Sequence, residues 1–277
     1  MQPKNLLIVP IALFLVSISV LAFNYFKTGD FILKDIDLKG GTLLSIESSK
    51  PIDTKSLETV LGGKYGSVFI TSIRTTTGYG ANIEVSEDVD TTELLNDVKQ
   101  YATVDAYTID TIGSSLGSLI SKQTVNMLLA AFILMSLVIF MIYRKLAPTF
   151  GIVFASLSNI LATLAITSLL GIKINFAGFA GLLMLIAYTV DTNIVLTTKL
   201  LKSEKDDFNK NYRKALRTGL TLIATITITV LAILLLSNSR LLVNLSEVLV
   251  IGFLSDLPFT WVFNAAMLEI AMERRYK

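Results

Sequence analysis

The sequence has 277 residues, of which 52% are hydrophobic and only 17% are charged, with a formal net charge of +2. Histidine and cysteine are both absent, which excludes disulfide bonds, zinc sites built on these residues and catalytic triads or dyads that use histidine. The apolar residues are concentrated in runs of about 20, the length that crosses the roughly 30 Å hydrocarbon layer of a membrane. The composition therefore predicts a multi-pass α-helical membrane protein.

The chain begins with an apolar run, residues 6–26, which predicts a first transmembrane helix within residues 1–26. This run is too long for the core of a signal peptide and lacks a convincing cleavage site, so we expect it to be retained. A polar stretch, residues 27–117, follows. Residues 118–277 contain five more apolar runs, at residues 125–143, 150–170, 176–198, 220–236 and 245–272. The pattern predicts six transmembrane helices, with one domain between the first and the second.

The polar stretch predicts a small α+β domain. Strand signals occur in "GTLLSIES", "SVFITSIRTT", "GANIEVSE" and "DAYTIDTIG", and the turn sequence "TGYG" separates the middle two. Helix signals occur in "DTKSLETVLGG" and "DTTELLNDVKQY", each of which opens with an N-capping aspartate. The order βαββαβ is that of the ferredoxin-like fold. The stretch carries 8 lysine and arginine residues against 14 acidic ones, as expected for a solvated, exported surface.

Lysine and arginine residues are distributed unequally between the two sides of the predicted helices. The loops and tails on one side, including the loop 199–217, carry 13 of them, whereas the short loops on the other side carry only Lys173 and Arg240. Because cytoplasmic loops are enriched in these residues, we expect both termini and the loop 199–217 in the cytoplasm. Residues 27–117 then lie outside.

One carboxylate interrupts the fourth apolar run near its middle. Asp191 stands where a charge costs at least a few kcal/mol, and we expect it to face the interior of the helix bundle. Tyr188 and Thr198 share its face of the predicted helix and are candidate hydrogen-bond partners, whereas Asn193 points elsewhere. A carboxyl group whose pKa is raised by desolvation could take up a proton from one side of the membrane and release it to the other.

Further polar residues occur in the third and sixth runs. Asp256 lies two residues before Pro258 and either belongs to an ion pathway or marks a kink, since proline frees a carbonyl one turn earlier. Asn159 and Asn264 are expected to join helices through hydrogen bonds within the membrane. Asp256 and Asp191 are therefore both candidates for ion coupling.

Two short motifs and the overall layout resemble a known family. "DLKGGT", which contains Gly40, Gly41 and Thr42, is similar to the D-x-x-GGT motif of that family, and "YTVDTNIVLTTKLL", residues 188–201, is similar to its fourth-span motif. The arrangement of one span, an exported domain and five more spans covers nearly the whole chain. With these features the chain resembles the smaller subunits of the SecD/SecF family of protein-export membrane proteins, especially archaeal ones.

The resemblance implies an accessory subunit of the Sec translocase in the cytoplasmic membrane. It implies a complex with SecD, association with a SecYE-type translocon, and exported polypeptides as the cargo. Membership of the resistance-nodulation-division superfamily would make Asp191 the transport-linked acid, coupled to proton or other ion movement. The basic partner of that acid, usually arginine, would correspond to Lys199. Lys199 lies about 80° from Asp191 around a helix, so we expect a partner for Asp191 on another helix or on SecD.

Other interpretations stay open. A small-molecule or lipid exporter of the same superfamily would work without SecD, and a purely structural clamp for SecD would need no titrating group. An intramembrane aspartyl protease would pair Asp191 with Asp256 so that two carboxylates share a proton, although neither lies in the sequence context of such enzymes. The sequence lacks a phosphate-binding loop, and we expect no enzyme activity, cofactor, metal site or nucleic-acid binding.

Overall fold

The structure, a computed structural model, describes residues 6–75, 78–201 and 208–275. It divides into two compact units, Lys34–Val125 and the residues on either side of that range. In chain order the elements are α1 (Ile8–Thr28), α2 (Ile36–Lys39), β1 (Gly41–Ser48), α3 (Thr54–Tyr65), β2 (Phe69–Thr75), β3 (Gly78–Val85), α4 (Thr91–Tyr101), β4 (Ala106–Ile112), α5 (Ser114–Tyr143), α6 (Leu146–Leu169), α7 (Phe176–Leu201), α8 (Phe208–Leu236), α9 (Arg240–Pro258), a π-helical segment (Phe259–Asn264) and α10 (Ala265–Arg275).

Six helices in the described ranges are long and apolar enough to cross a membrane, which confirms the predicted number of spans. They are α1, α5, α6, α7, α8 and the continuous run Arg240–Met272. Some extend beyond the apolar runs because polar helix formers continue them. The helix α8 begins at Phe208, so the second half of the predicted loop 199–217 is helical, while residues 202–207 lie outside the described residues.

The smaller unit has the predicted βαββαβ order. Its four strands form one antiparallel sheet in the order β2-β3-β1-β4. Of the predicted turn "TGYG", residues 77–80, the first residue lies outside the described residues and the other three begin β3. The helices α3 and α4 open on Asp53 and Asp90, whose carboxylates accept hydrogen bonds from backbone N–H groups of the first turn. The core between sheet and helices includes Leu44, Ile46, Ile83, Leu57, Leu61, Leu94 and Val98.

The "DLKGGT" motif allows a close backbone approach at the start of β1. Gly40 and Gly41 have φ angles of +85° and +133°, which residues with a side chain rarely adopt. A Cβ atom at Gly40 would overlap the backbone of Ser114, and one at Gly41 would lie 2.9 Å from the carbonyl oxygen of Val85. Thr42 is fully buried, and its hydroxyl lies 3.0 Å from a threonine hydroxyl of β4. Close packing of the backbone therefore explains the two glycines, and the cross-strand hydroxyl contact accounts for Thr42.

The helices α6, α7 and α9 form the most buried part of the larger unit, whereas α1, α5 and α8 expose most of their surface. Pro258 lies at the end of α9 and has no N–H group to bond the carbonyl one turn earlier. The chain continues there as the π-helical segment. Pro258 is thus followed directly by a π-helical turn, a feature that is frequent at functional sites.

Candidate functional site

Asp191 lies on α7 with its side chain exposed, so the prediction that it faces the interior of this chain's bundle is wrong for the chain alone. Met184 and Val195 are exposed on the same side of the helix. The interior side instead carries Thr189 and Asn193, which are buried. Both lie two residues from Asp191, which places them on the opposite side of a helix with 3.6 residues per turn. The carboxyl group of Asp191 therefore faces the surroundings of the bundle.

Asp256 is the acid that the bundle encloses, and its side chain is 0% exposed. Its Oδ1 atom accepts a hydrogen bond from the hydroxyl of Thr260 at 2.9 Å and a longer one from the amide of Asn159 at 3.4 Å. Its Oδ2 atom is also buried and has no hydrogen-bond partner. Neither partner is a carboxylate, so the described contacts do not form the dyad with Asp191 that an aspartyl protease needs.

Asn159 connects three helices. Its Oδ1 accepts a hydrogen bond from the hydroxyl of Ser255 on α9 at 2.6 Å, and its Nδ2 donates to the hydroxyl of Thr189 on α7 at 3.0 Å. The hydroxyl of Thr163, one turn further along α6, lies 3.1 Å from that of Ser255. These contacts fix α6, α7 and α9 against one another beside Asp256.

A second group of polar side chains continues from Thr260. The amide of Asn193 donates to the hydroxyl of Thr260 at 2.8 Å, and its oxygen accepts a hydrogen bond from the amide of Asn264 at 2.7 Å. The same amide donates to the hydroxyl of Thr197 at 3.3 Å. The Oδ1 atom of Asn264 is buried without a hydrogen-bond partner, and Gly151 on α6 leaves room for it, since a Cβ atom there would lie 2.5 Å away.

We call this network the polar cluster: Asn159, Thr163, Thr189, Asn193, Thr197, Ser255, Asp256, Thr260 and Asn264. Of these residues, the three asparagines and Asp256 are candidates from the sequence, whereas the hydroxyl residues are not. The spacing of the polar residues could have identified the threonines as well. Polar residues recur every four positions at 159 and 163, at 189, 193 and 197, and at 256, 260 and 264. Positions four apart share one face of a helix.

The predicted partners of Asp191 are engaged elsewhere. The ammonium of Lys199 lies 3.4 Å from a threonine hydroxyl of α8, to which it donates, and the hydroxyl of Thr198 lies 3.0 Å from that of a tyrosine of α5. The ring of Tyr188 packs against a phenylalanine of α9 with 4.7 Å between the ring centroids, and its buried hydroxyl has no hydrogen-bond partner. Within the described ranges, none of these side chains forms a hydrogen bond with Asp191.

The polar cluster contains a single ionisable side chain among neutral hydroxyls and amides. Interhelical hydrogen bonds in membranes contribute about 0.6 kcal/mol on average, so helix packing accounts for the neutral members. A carboxyl group differs because it can gain and lose a proton, and such residues in membrane spans mark ion pathways. In the part of the chain that the structure describes, histidine, cysteine and acidic side chains do not gather in a group of three that could hold a metal ion.

Comparison with known proteins gives consistent matches. A family model described as "Protein export membrane protein SecD/SecF, C-terminal" matches residues 91–274. The protein-export membrane protein SecF of Methanocaldococcus jannaschii is 33% identical over 273 residues, which cover 94% of this chain and 93% of the relative. The protein of the same name from Pyrococcus furiosus is 29% identical over 283 residues, which cover 99% of this chain and 93% of the relative.

The fold is similar to a crystal structure of SecDF, a translocon-associated membrane protein from Thermus thermophilus, with a TM-score of 0.79 and 17% sequence identity. The match covers 99% of this chain but only 38% of that longer chain. The family model covers more than half of the present sequence, and the archaeal relatives match it almost from end to end. The chain is therefore a member of the SecD/SecF family of protein-export membrane proteins.

Proposed function

We propose that this chain is an accessory subunit of the Sec protein-export machinery that promotes the passage of polypeptides across the cytoplasmic membrane. The observation that carries this proposal is the near end-to-end match to curated SecF proteins, with identities of 29% and 33%. The six spans and the single βαββαβ domain between the first two support it. In this role the chain is a transport component and not an enzyme.

A SecD subunit is the direct partner in this proposal. The match covers 38% of the SecDF structure, and the remainder of that structure would correspond to SecD. The exposed Asp191 also supports a partner. A charged residue at the centre of a lipid-facing helix costs about 2.5–3.5 kcal/mol even on the mildest scales, and a helix of SecD that offers a hydrogen-bond donor or a cation would remove that cost.

The remaining parts of the proposal concern orientation and cargo. The excess of lysine and arginine in one set of loops and tails supports cytoplasmic termini. The domain of residues 34–125 then lies on the outer face, where it would act on emerging polypeptides beside a SecYE-type translocon. Ion movement, most simply that of protons, would drive the cycle through Asp191, with Asp256 and Lys199 as further candidates.

An export assay with matched variants tests the proposal. Cells that lack the chain should process a secretory precursor several-fold more slowly than cells that carry it. Asp191→Asn should slow processing similarly while SecD still co-purifies, because the amide keeps the shape but cannot titrate. Asp88→Asn, at an exposed acid of the outer domain, is the control and should export normally.

Three results would change these assignments. Normal export without the chain would contradict the accessory role. Normal export by Asp191→Asn in an intact complex would remove ion coupling through this residue and leave the accessory role standing. Loss of SecD from the purified variant would make Asp191 an assembly residue.

A further inference from the structure

Asp256 has no described group that compensates a negative charge. Its carboxyl is fully buried, the hydroxyl of Thr260 and the amide of Asn159 donate to it, and the hydroxyl of Thr189 is a further neutral neighbour. Both donors contact Oδ1, and the second is long. An ionised carboxylate has about four acceptor positions on its two oxygens, so most of them are unfilled, including all of those on the buried Oδ2.

The titratable groups on the surrounding helices are few. The sequence of α6 contains none, and those of α1 and α8 lie near one end of each helix. On α7, Tyr188 is the titratable side chain near Asp256, whereas Asp191 is exposed and Lys199 is bonded to α8. On the sixth span, Glu247 and Glu269 lie about 14 and 20 Å away along the helix axis, at about 1.5 Å per residue.

We propose that Asp256 is a proton-binding site enclosed within this chain, with the proton on Oδ2, and that it is separate from the exposed Asp191. Adding a proton removes the uncompensated charge, and it converts the one oxygen that lacks a donor into a hydroxyl that can itself donate. A buried carboxyl group without a cationic partner is expected to be neutral for this reason. The assignment of this proton to the export cycle rests on the proposed function; its presence on Asp256 does not.

The polar cluster gives this site a hydrogen-bonded connection along the bundle. From Thr260 the contacts pass to Asn193, then to Asn264 and Thr197, towards the end of α7 that carries Lys199. The free Oδ1 of Asn264 offers a second buried acceptor on this line. Amides and hydroxyls of this kind can hold water molecules, which would carry the proton between Asp256 and that end of the bundle.

Infrared spectroscopy of the intact complex with SecD tests the site directly. A protonated carboxyl group absorbs as a C=O stretch at a higher frequency than amides and carboxylates, and that band moves to lower frequency when deuterium replaces the proton. We expect a band that is lost in Asp256→Asn and kept in Asp191→Asn and Glu247→Gln. It should shift after transfer to deuterated buffer, because the polar cluster connects the site to water.

Each of the following results of the infrared experiment would contradict part of the proposal for Asp256. Absence of the band from the unmodified complex, or its persistence in Asp256→Asn, would show that Asp256 does not hold the proton. A band that appears only when sodium is removed would make the site a cation site. A band that never shifts in deuterated buffer would contradict the connection to water. Export by Asp256→Asn is measured separately, so failure of the accessory role leaves the spectroscopic result unaffected.

Discussion

Replacing Asn193 with alanine should destabilise the membrane bundle by about 2 kcal/mol. The side chain makes two interhelical hydrogen bonds, to Thr260 at 2.8 Å and from Asn264 at 2.7 Å. Two such bonds contribute about 1 kcal/mol together in a membrane. The amide of Asn264 then keeps only the longer contact to Thr197, and a weakened buried donor costs about 1 kcal/mol more. The total corresponds to a roughly 30-fold change in the unfolding equilibrium.

Unfolding in mixed micelles with increasing fractions of a denaturing detergent measures this effect. Trp261, the single tryptophan of the sequence, is 3% exposed within the π-helical segment and reports on the bundle by its fluorescence. The control is Thr225→Val on the exposed side of α8, where the hydroxyl bonds the carbonyl oxygen of its own helix at 2.9 Å. This control should change the free energy of unfolding by less than about 0.5 kcal/mol.

A double-mutant cycle sharpens the prediction. Asn193→Ala and Asn264→Ala should be non-additive by about 1 kcal/mol, because each removes the same hydrogen bond. Equal unfolding midpoints for Asn193→Ala and the Thr225→Val control, or strict additivity with Asn264→Ala, would refute the reasoning that these hydrogen bonds hold the bundle together.

Two predictions concern the smaller unit, and hydrogen exchange of peptides from residues 34–125 checks both. Gly40→Ala should destabilise this unit far more than Gly66→Ala. Both positions have positive φ with ψ outside the left-handed helical region, a conformation that costs about 1–3 kcal/mol for a residue with a side chain. Only the added Cβ at Gly40 meets backbone, that of Ser114, whereas Gly66 has open space, and equal effects would contradict the close approach. The hydrogen bond from Lys64 lowers the pKa of Asp97 in the folded unit. The pair therefore stabilises the folded unit fully at pH values above the unfolded pKa of about 3.9. This contribution to stability is lost as the pH falls through the lower pKa of the folded state. Asp97→Asn should therefore destabilise the unit at neutral pH and match the parent protein in strong acid, and an effect of equal size at both pH values would count against the pairing.

The elements of the fold were largely predictable because their signals are local. Hydropathy located six spans, strand alternation located β1 to β4, and Asp53 and Asp90 marked where α3 and α4 begin. The starts of the helices were less accurate, as at α8, because polar residues such as those from Phe208 onwards continue a helix without adding hydropathy.

The orientation of Asp191 could not be obtained in the same way. A soluble helix shows its interior side by an apolar stripe, but a membrane helix is apolar on all sides because lipid and bundle interior are equally apolar. The burial of Asp256 and the exposure of Asp191 therefore depend on which helices pack together. The four-residue spacing of polar residues was the one local sign of the interior side, and it pointed to Thr189 and Asn193 instead of Asp191.

The π-helical segment after Pro258 changes the side of the sixth span on which the later residues lie. A π turn holds one more residue than an α turn, so the segment Phe259–Asn264 acts as an insertion that shifts every later residue around the helix by about 100°. Asn264 reaches Asn193 in this shifted register, while Asp256 is set by the register before it. The helical register before the segment therefore orients Asp256, and the register after it orients Asn264. Deletion of a single residue between them would turn one of these side chains away from the polar cluster while the other stayed in place.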